Sequence, residues 1–273
     1  MSVLTTAARL DEIKASGRSA LIGYLPTGFP TVDQSIEAAR TLVENGVDIL
    51  ELGIPYTDPV MDGPTIQHAV DLALTNGVRV ADTFRVMRAL RDLDAPVLAM
   101  SYFNPLLQYG IERFAADLVA SGGAGVITAD LIPEEASEWI AAADRHGLDK
   151  VFLVAPSSTP QRLAITAEAS RGFVYAASVM GVTGERTQVG NDAERLVRDT
   201  RAAGAARVCV GLGVSTRVQA AGIASYADGV IVGSAFVRPL LADKPWGERL
   251  EDLAAIAGEL ARGVAEGARD VVP

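Results

Sequence analysis

Eight short, almost wholly apolar runs recur along this chain, and amphipathic stretches separate them. They lie at 20–25, 47–52, 97–101, 125–129, 151–155, 173–177, 208–211 and 229–232. Near-continuous apolarity, rather than strict alternation, marks strands covered on both faces, the condition of a parallel sheet. The intervening stretch 32–44 follows Pro30-Thr31, a helix-start signal. The stretches 111–121, 133–146 and 192–203 have the same character, and Pro133 with Glu134 and Glu135 suits a first helical turn. Strand–helix alternation repeated eight times in 273 residues predicts an α/β fold. We expect a single (β/α)8 TIM barrel spanning 1–273 as one domain, with the first ~16 residues as an extra N-terminal helix. A doubly wound open sheet is the competing arrangement on the same pattern. The interior expected of such a barrel needs small and branched side chains. The composition supplies them, with 49% hydrophobic residues, only 5% aromatic, and 26 glycines.

The inventory excludes several kinds of chemistry. No apolar run approaches the ~18 residues of a membrane span. The opening MSVLTTAARLDEIKASG lacks the basic-then-apolar layout of a secretory leader. Cys209, the one cysteine, has no partner for an internal disulfide, so a cytoplasmic, reducing setting is expected. A net charge of −10 argues against nucleic acid and anionic membrane as partners. It also means that any phosphate ligand must be held by local features. The two histidines both fall in helical stretches: His68 in PTIQHAVDLAL, and His146 in DRHG, which reads as a helix C-terminus. Surface and capping roles account for both, and no metal site is expected. Of the three lysines, Lys14 lies in the leading helix, Lys150 precedes the fifth strand, and Lys244 follows the eighth. None ends a strand, which disfavours a Schiff-base aldolase and a lysine-dependent isomerase.

Barrel active sites lie where strands end and βα loops begin, and three features stand there. Glu51 sits inside the second strand between Leu50 and Leu52. Burying an unpaired carboxylate raises its pKa toward neutrality, where it can both give and take a proton. The alternative is a structural ion pair, for which no arginine is placed at a neighbouring strand end. Asp62 lies in the long loop YTDPVMDGPTIQ, shaped by prolines, and could reach back toward Glu51. It could equally cap the helix beginning at Pro64. Third, GLGVST ends strand seven and GVIVGSAFV ends strand eight, with no Lys or Arg in either. Such turns let backbone amides approach a phosphate, and phosphate sites recur after strands seven and eight of barrels. Tight turns alone would also explain the glycines. The loops 53–64 and 178–191 exceed the usual two to six residues.

The stretch ILELGIPYTDPVMDGPTIQ closely resembles the signature of the tryptophan synthase alpha subunit family. LPTGFP, ADLIPEE, YAASVMGVTG, VGLGVST and VGSAFV recur in that family in the same order, so the resemblance covers about 20–237. It implies retro-aldol cleavage of indole-3-glycerol phosphate to indole and glyceraldehyde 3-phosphate, a carbon–carbon lyase reaction. By the same resemblance Glu51 is the general acid–base, Asp62 the carboxylate that hydrogen-bonds the indole N–H, and Tyr175 a tyrosine lying against the substrate. Gly184, Gly213, Gly233 and Ser234 match positions that hold the phosphate. Thr183 belongs to a loop that closes onto Asp62. Tyr24, Met100, Ile127, Leu153, Leu212 and Ile231 would form the apolar slot for the indole, although ordinary core packing explains these six as well. The family's partner is a beta subunit that carries pyridoxal phosphate, in an α2β2 heterotetramer, so this chain itself needs no cofactor. The segments 56–63 and 102–107 match the regions facing that partner, and their Tyr, Phe, Pro and Leu residues are expected to be exposed. Two further readings remain: a stand-alone lyase that releases free indole, and a non-catalytic phosphate-binding barrel that regulates another subunit. The second leaves the pairing of Glu51 with Asp62 without a purpose.

Overall fold

The computed structural model describes residues 4–177, 191–211 and 213–267. Its strands are β1 (Ala20–Pro26), β2 (Ile49–Gly53), β3 (Val97–Ser101), β4 (Gly125–Thr128), β5 (Asp149–Val151), β6 (Leu153–Val154), β7 (Val174–Ala177), β8 (Val208–Gly211) and β9 (Gly229–Val232). All pair in parallel, in the order β5-β4-β3-β2-β1-β9-β8-β7-β6. The two ends of this sheet, β5 and β6, are separated in sequence by Phe152 alone. They are halves of one barrel strand, so the sheet closes on itself. The eight expected strands are therefore present, with the fifth divided. Its first half pairs with β4 through Asp149–Val151, and its second half with β7 through Leu153 and Val154. The open doubly wound sheet is ruled out by this closure.

The helices are α1 (Thr6–Ala15), α2 (Val32–Glu44), α3 (Pro64–Thr75), α4 (Val80–Ala89), α5 (Phe103–Tyr109), α6 (Ile111–Ala120), α7 (Ser137–His146), α8 (Pro160–Ala169), α9 (Asn191–Ala202), α10 (Arg217–Ala224), α11 (Ser234–Leu240) and α12 (Trp246–Gly267). The helix expected over 133–146 is two pieces. Pro133–Glu135 form a tight 3-10 turn, and the ladder restarts when Ile140 N–H bonds to the carbonyl of fully buried Ala136. The segment 102–107, expected as an exposed loop, mostly belongs to α5. Tyr102, Pro105 and Leu106 of that segment are buried, because α5 packs their side chains inward.

Strand alternation sorts the core into two layers. Odd-register residues such as Ile49, Leu98, Ile127, Val151, Tyr175, Cys209 and Ile231 fill the barrel interior. Their neighbours, including Leu50, Leu52, Val126, Val174, Val210 and Val230, pack outward against the helices. Helix α1 sends Leu10 and Ile13 into the inner cluster and so plugs one end. That end, at the strand N-termini, is closed by paired charges. Asp48 accepts from Arg18 and from the Leu21 amide. Asp228 accepts from Lys14, Arg201 and the Val208 amide. Asp149 accepts from both the amide and the hydroxyl of Thr6. Burial pushes Asp228 up, but Arg201, the Val208 amide and Lys14 outweigh it and hold the carboxyl below its usual range.

Candidate active site

The opposite end of the barrel carries acids without such partners among the described residues. Alternation along β2 sends Leu50 and Leu52 outward and Glu51 inward, in register with Tyr24 on β1 and Leu98 on β3. Glu51 is only 1% exposed, and among the described residues neither carboxylate oxygen has a hydrogen-bond partner. Burial alone raises its pKa from an ordinary 4.5 to about 8. The structural ion pair considered for this residue is absent among the described residues.

Asp62 is brought to the same end by the loop between β2 and α3. It is 8% exposed, and burial raises its pKa from 3.8 to about 6. The residue capping α3 is Gly63, with no side-chain cap, so the capping role considered for Asp62 is not the one it plays. Tyr24 and Tyr175 lie close enough to feel both carboxyl groups. Burial raises each phenol well above its ordinary pKa, and Asp62 and Glu51 push it further. Glu51, Asp62, Tyr24 and Tyr175 therefore form one cluster.

Two glycines make room for the tyrosine rings. A Cβ on Gly53, at the end of β2, would overlap the Tyr24 phenol. A Cβ on Gly211, at the end of β8, would overlap the Tyr175 phenol. The sequence shows Gly211 only as part of a turn. Its use as the seat of a ring follows from the lateral pairing of β7 with β8.

The six residues expected to form an apolar slot separate by depth. Ile127 and Ile231 are buried in the inner cluster and form the floor. Met100 and Leu153 pack on that cluster but remain partly exposed, at the mouth. Tyr24 borders the mouth, near Ile66 and Gly233. Leu212 lies outside the described residues, as do Thr183 and Gly184.

The glycine turns after β8 and β9 are neighbours, since Gly211 pairs with Ile231. Gly213 takes a left-handed φ of 64°, which a side chain would strain. Gly233 is the N-cap of α11 and Ser234 its first residue, 6% exposed. The first amides of a helix have no partner inside it and point outward. The last two residues of GLGVST are otherwise engaged. Ser215 and Thr216 donate their amides to Gln219 Oε1 at 2.9 and 3.2 Å, in the capping box of α10. Of the amides expected to hold a phosphate in this region, those of Ser215 and Thr216 are thus already taken by Gln219.

Two site residues escape the sequence reading. The Tyr102 phenol accepts the Met61 amide at 2.9 Å, and Gln67 Nε2 donates to the Asp62 carbonyl at 2.8 Å. An aromatic directly after a strand end was the available signal for Tyr102. The lysines stand apart, paired with acids: Lys14 with Asp228, Lys150 with Asp144 and Lys244 with Asp252. Among the described residues no three His, Cys, Asp or Glu side chains gather as a metal site.

The family model described as tryptophan synthase alpha chain matches residues 10–265. The chain belongs to the tryptophan synthase alpha chain family. Tryptophan synthase alpha chains of Mycobacterium tuberculosis and Mycobacterium bovis are 56% identical to it over 254 residues, covering 93% of this chain and 92% of theirs. A chain in a solved structure of Mycobacterium tuberculosis tryptophan synthase superposes with a TM-score of 0.89 at 54% identity, covering 96% of this chain and 99% of that one. The alpha subunit from Legionella pneumophila, only 30% identical, still superposes with a TM-score of 0.87 over 96% of this chain and 99% of that one. As a tryptophan synthase alpha chain, the protein is a carbon–carbon lyase of tryptophan biosynthesis that cleaves indole-3-glycerol phosphate to indole and glyceraldehyde 3-phosphate.

Proposed function

We propose that Glu51 and Asp62 divide this cleavage between a proton carrier and a fixed negative charge. The observation that carries the reading is the pair of buried carboxyls with pKa values of about 8 and about 6. Between those values Glu51 is mostly protonated and Asp62 mostly ionised, and groups so separated take different roles. Glu51 gives its proton to C3 of the indole ring, which becomes indolenine-like with positive charge at the ring nitrogen. The Asp62 carboxylate accepts the ring N–H and stabilises that charge. Ionised Glu51 then takes the proton of the hydroxyl on the glycerol carbon attached to C3. The C3–C bond breaks, its electron pair returns to the ring, and the hydroxyl carbon becomes the aldehyde of glyceraldehyde 3-phosphate. Glu51 loses one proton and regains one, so the cycle closes without an external acid or base.

Tyr175, Tyr24, Met100 and Leu153 hold the ring from the sides, over the floor of Ile127 and Ile231. Amides around Gly213 and at Gly233 and Ser234 receive the phosphate, with Gly184 as a further donor. The partner is a beta subunit in an α2β2 assembly, which receives the indole. Support for this surface comes from Val60, Leu107 and Ile132, exposed by 62%, 46% and 39% on the segments following β2, β3 and β4. Exposed apolar side chains grouped at one end of a barrel fit an interface. Pyridoxal phosphate belongs to that partner, and the ion-paired lysines away from the acids support this division. No described helix is long and apolar enough to cross a membrane, and we place the protein in the cytoplasm.

The test is indole release from indole-3-glycerol phosphate by the purified chain, with and without a beta subunit carrying pyridoxal phosphate. Weak activity alone that rises by at least tenfold with the partner is the expected result. Full activity in isolation would instead establish a stand-alone lyase, and none in either case a regulatory barrel.

A further inference from the structure

We propose that Tyr102 is a positioning residue for Asp62, acting through the main chain of the loop that carries the carboxylate. The proposal rests on the reading of Asp62 given above. The loop is tied at three consecutive points. The Met61 amide donates to the Tyr102 phenol oxygen at 2.9 Å. The Asp62 amide donates to the Pro59 carbonyl at 3.0 Å. The Asp62 carbonyl accepts from Gln67 Nε2 at 2.8 Å. Two of these ties stay close to the loop, since Pro59 is in it and Gln67 is in the first turn of the helix it leads into. Tyr102 alone of the three belongs to a different part of the barrel wall, directly after β3.

Tyr102 is itself held on every side. Its ring packs on Tyr56 with centroids 5.4 Å apart, tilted by 35°. Its carbonyl accepts the Ser101 hydroxyl at 2.7 Å, and the next amide, of Phe103, donates to Asp130 at 2.7 Å. It is only 6% exposed. The phenol is therefore a fixed point, referred through β3 to the strand that pairs with Glu51's own strand. This sets where the Asp62 carboxylate stands relative to Glu51, and a displacement of 1 Å in such a group costs up to about 100-fold in rate.

Among the described residues the ionisable groups that interact with Asp62 are Tyr24 from β1, Tyr102 after β3 and Tyr175 from β7, and the first and last of these also interact with Glu51 from β2. All are acids, so none holds Asp62 ionised, and a loop freed from Tyr102 relaxes toward water.

Tyr102→Phe keeps the ring and removes the acceptor. In the complex with a beta subunit, the expected result is a fall in kcat of about tenfold or more with KM for indole-3-glycerol phosphate within about twofold. In an Asp62→Asn background the same change is expected to cost less than about twofold, because its effect passes through Asp62. By carbon-13 NMR of labelled aspartate, Asp62 in the Tyr102→Phe chain should titrate below its value in the unaltered chain. Gln67→Met, which removes the second side-chain tie, should shift kcat and titration the same way, and it decides the matter if Tyr102→Phe does not fold. Equal losses with and without Asp62, a loss confined to KM, or an unmoved Asp62 titration would each overturn the proposal. Full turnover by Asp62→Asn alone would instead refute the role of Asp62. The titration is independent of turnover, so it separates the two failures.

Discussion

Glu51 carries a cost that the buried acids at the opposite end of this barrel avoid. Asp48, Asp149 and Asp228 accept hydrogen bonds from strand amides, from the Thr6 amide and hydroxyl or from arginine and lysine, whereas both Glu51 oxygens lack partners among the described residues. Its folded pKa of about 8 lies above the ordinary 4.5, so the folded chain holds this proton more tightly than the unfolded chain. As pH rises from about 4.5 the unfolded chain loses the proton first, and stability falls until the folded group also ionises near 8. The full cost, on the order of a few kcal/mol, is present above that point. Glu51→Gln is therefore expected to abolish indole release while raising the melting temperature. The gain should be larger at pH 9 than at pH 5, as calorimetry at the two pH values would show. An equal or smaller gain at pH 9 would mean that Glu51 has a partner in solution. For the native enzyme, kcat/KM should fall below pH 6 as Asp62 protonates and above pH 8 as Glu51 ionises. A single-limbed profile would remove one of the two acids from the mechanism.

At the scale of strands and loops, the strand C-termini surrender side-chain volume so that neighbours can project rings over the mouth. Gly53 seats Tyr24 across the β1–β2 pair, and Gly211 seats Tyr175 across β7–β8. Gly211→Ala puts a methyl group where the Tyr175 phenol lies, and a rigid ring can escape only by swinging away from the acids. Turnover should fall by about 10- to 100-fold with far-UV circular dichroism unchanged, the signature of a misplaced wall rather than a lost fold. Native turnover in this variant would show that Tyr175 has no part in the reaction.

Over the whole molecule, a net charge of −10 surrounds a site that must accept a phosphate. On the proposed reading, backbone amides near Gly213 and Gly233 attract the anion at close range, while the protein's field repels it at long range. Salt screens the second effect more than the first. KM for indole-3-glycerol phosphate is therefore expected to fall about twofold as ionic strength rises from about 20 to about 200 mM. A rise in KM over that range would mean that a lysine or arginine side chain holds the phosphate.

Much of this was legible in the chain itself. Period and spacing of the apolar runs marked a parallel sheet under helices, because a strand buried on both faces has to be apolar throughout, but the choice of a barrel over an open doubly wound sheet came from the closure between β5 and β6. A lone Glu51 in such a run marked the acid for the same reason, since nothing else tolerates a charge there. Motifs determined the family, since ILELGIPYTDPVMDGPTIQ is long and specific. What sequence left open was decided by where each element begins and what it faces in the fold. Asp62 could have been a cap until Gly63 was found in that place. The Ser215 and Thr216 amides of GLGVST were assigned to Gln219 only once α10 was positioned. Tyr102, read as part of an exposed face, turned inward to hold Met61. The Tyr102 tie depends on which atom stands across the gap between the loop after β2 and the end of β3, and that is set by register and packing over the whole barrel; the other two were local, and turned on where the N-termini of α3 and α10 begin.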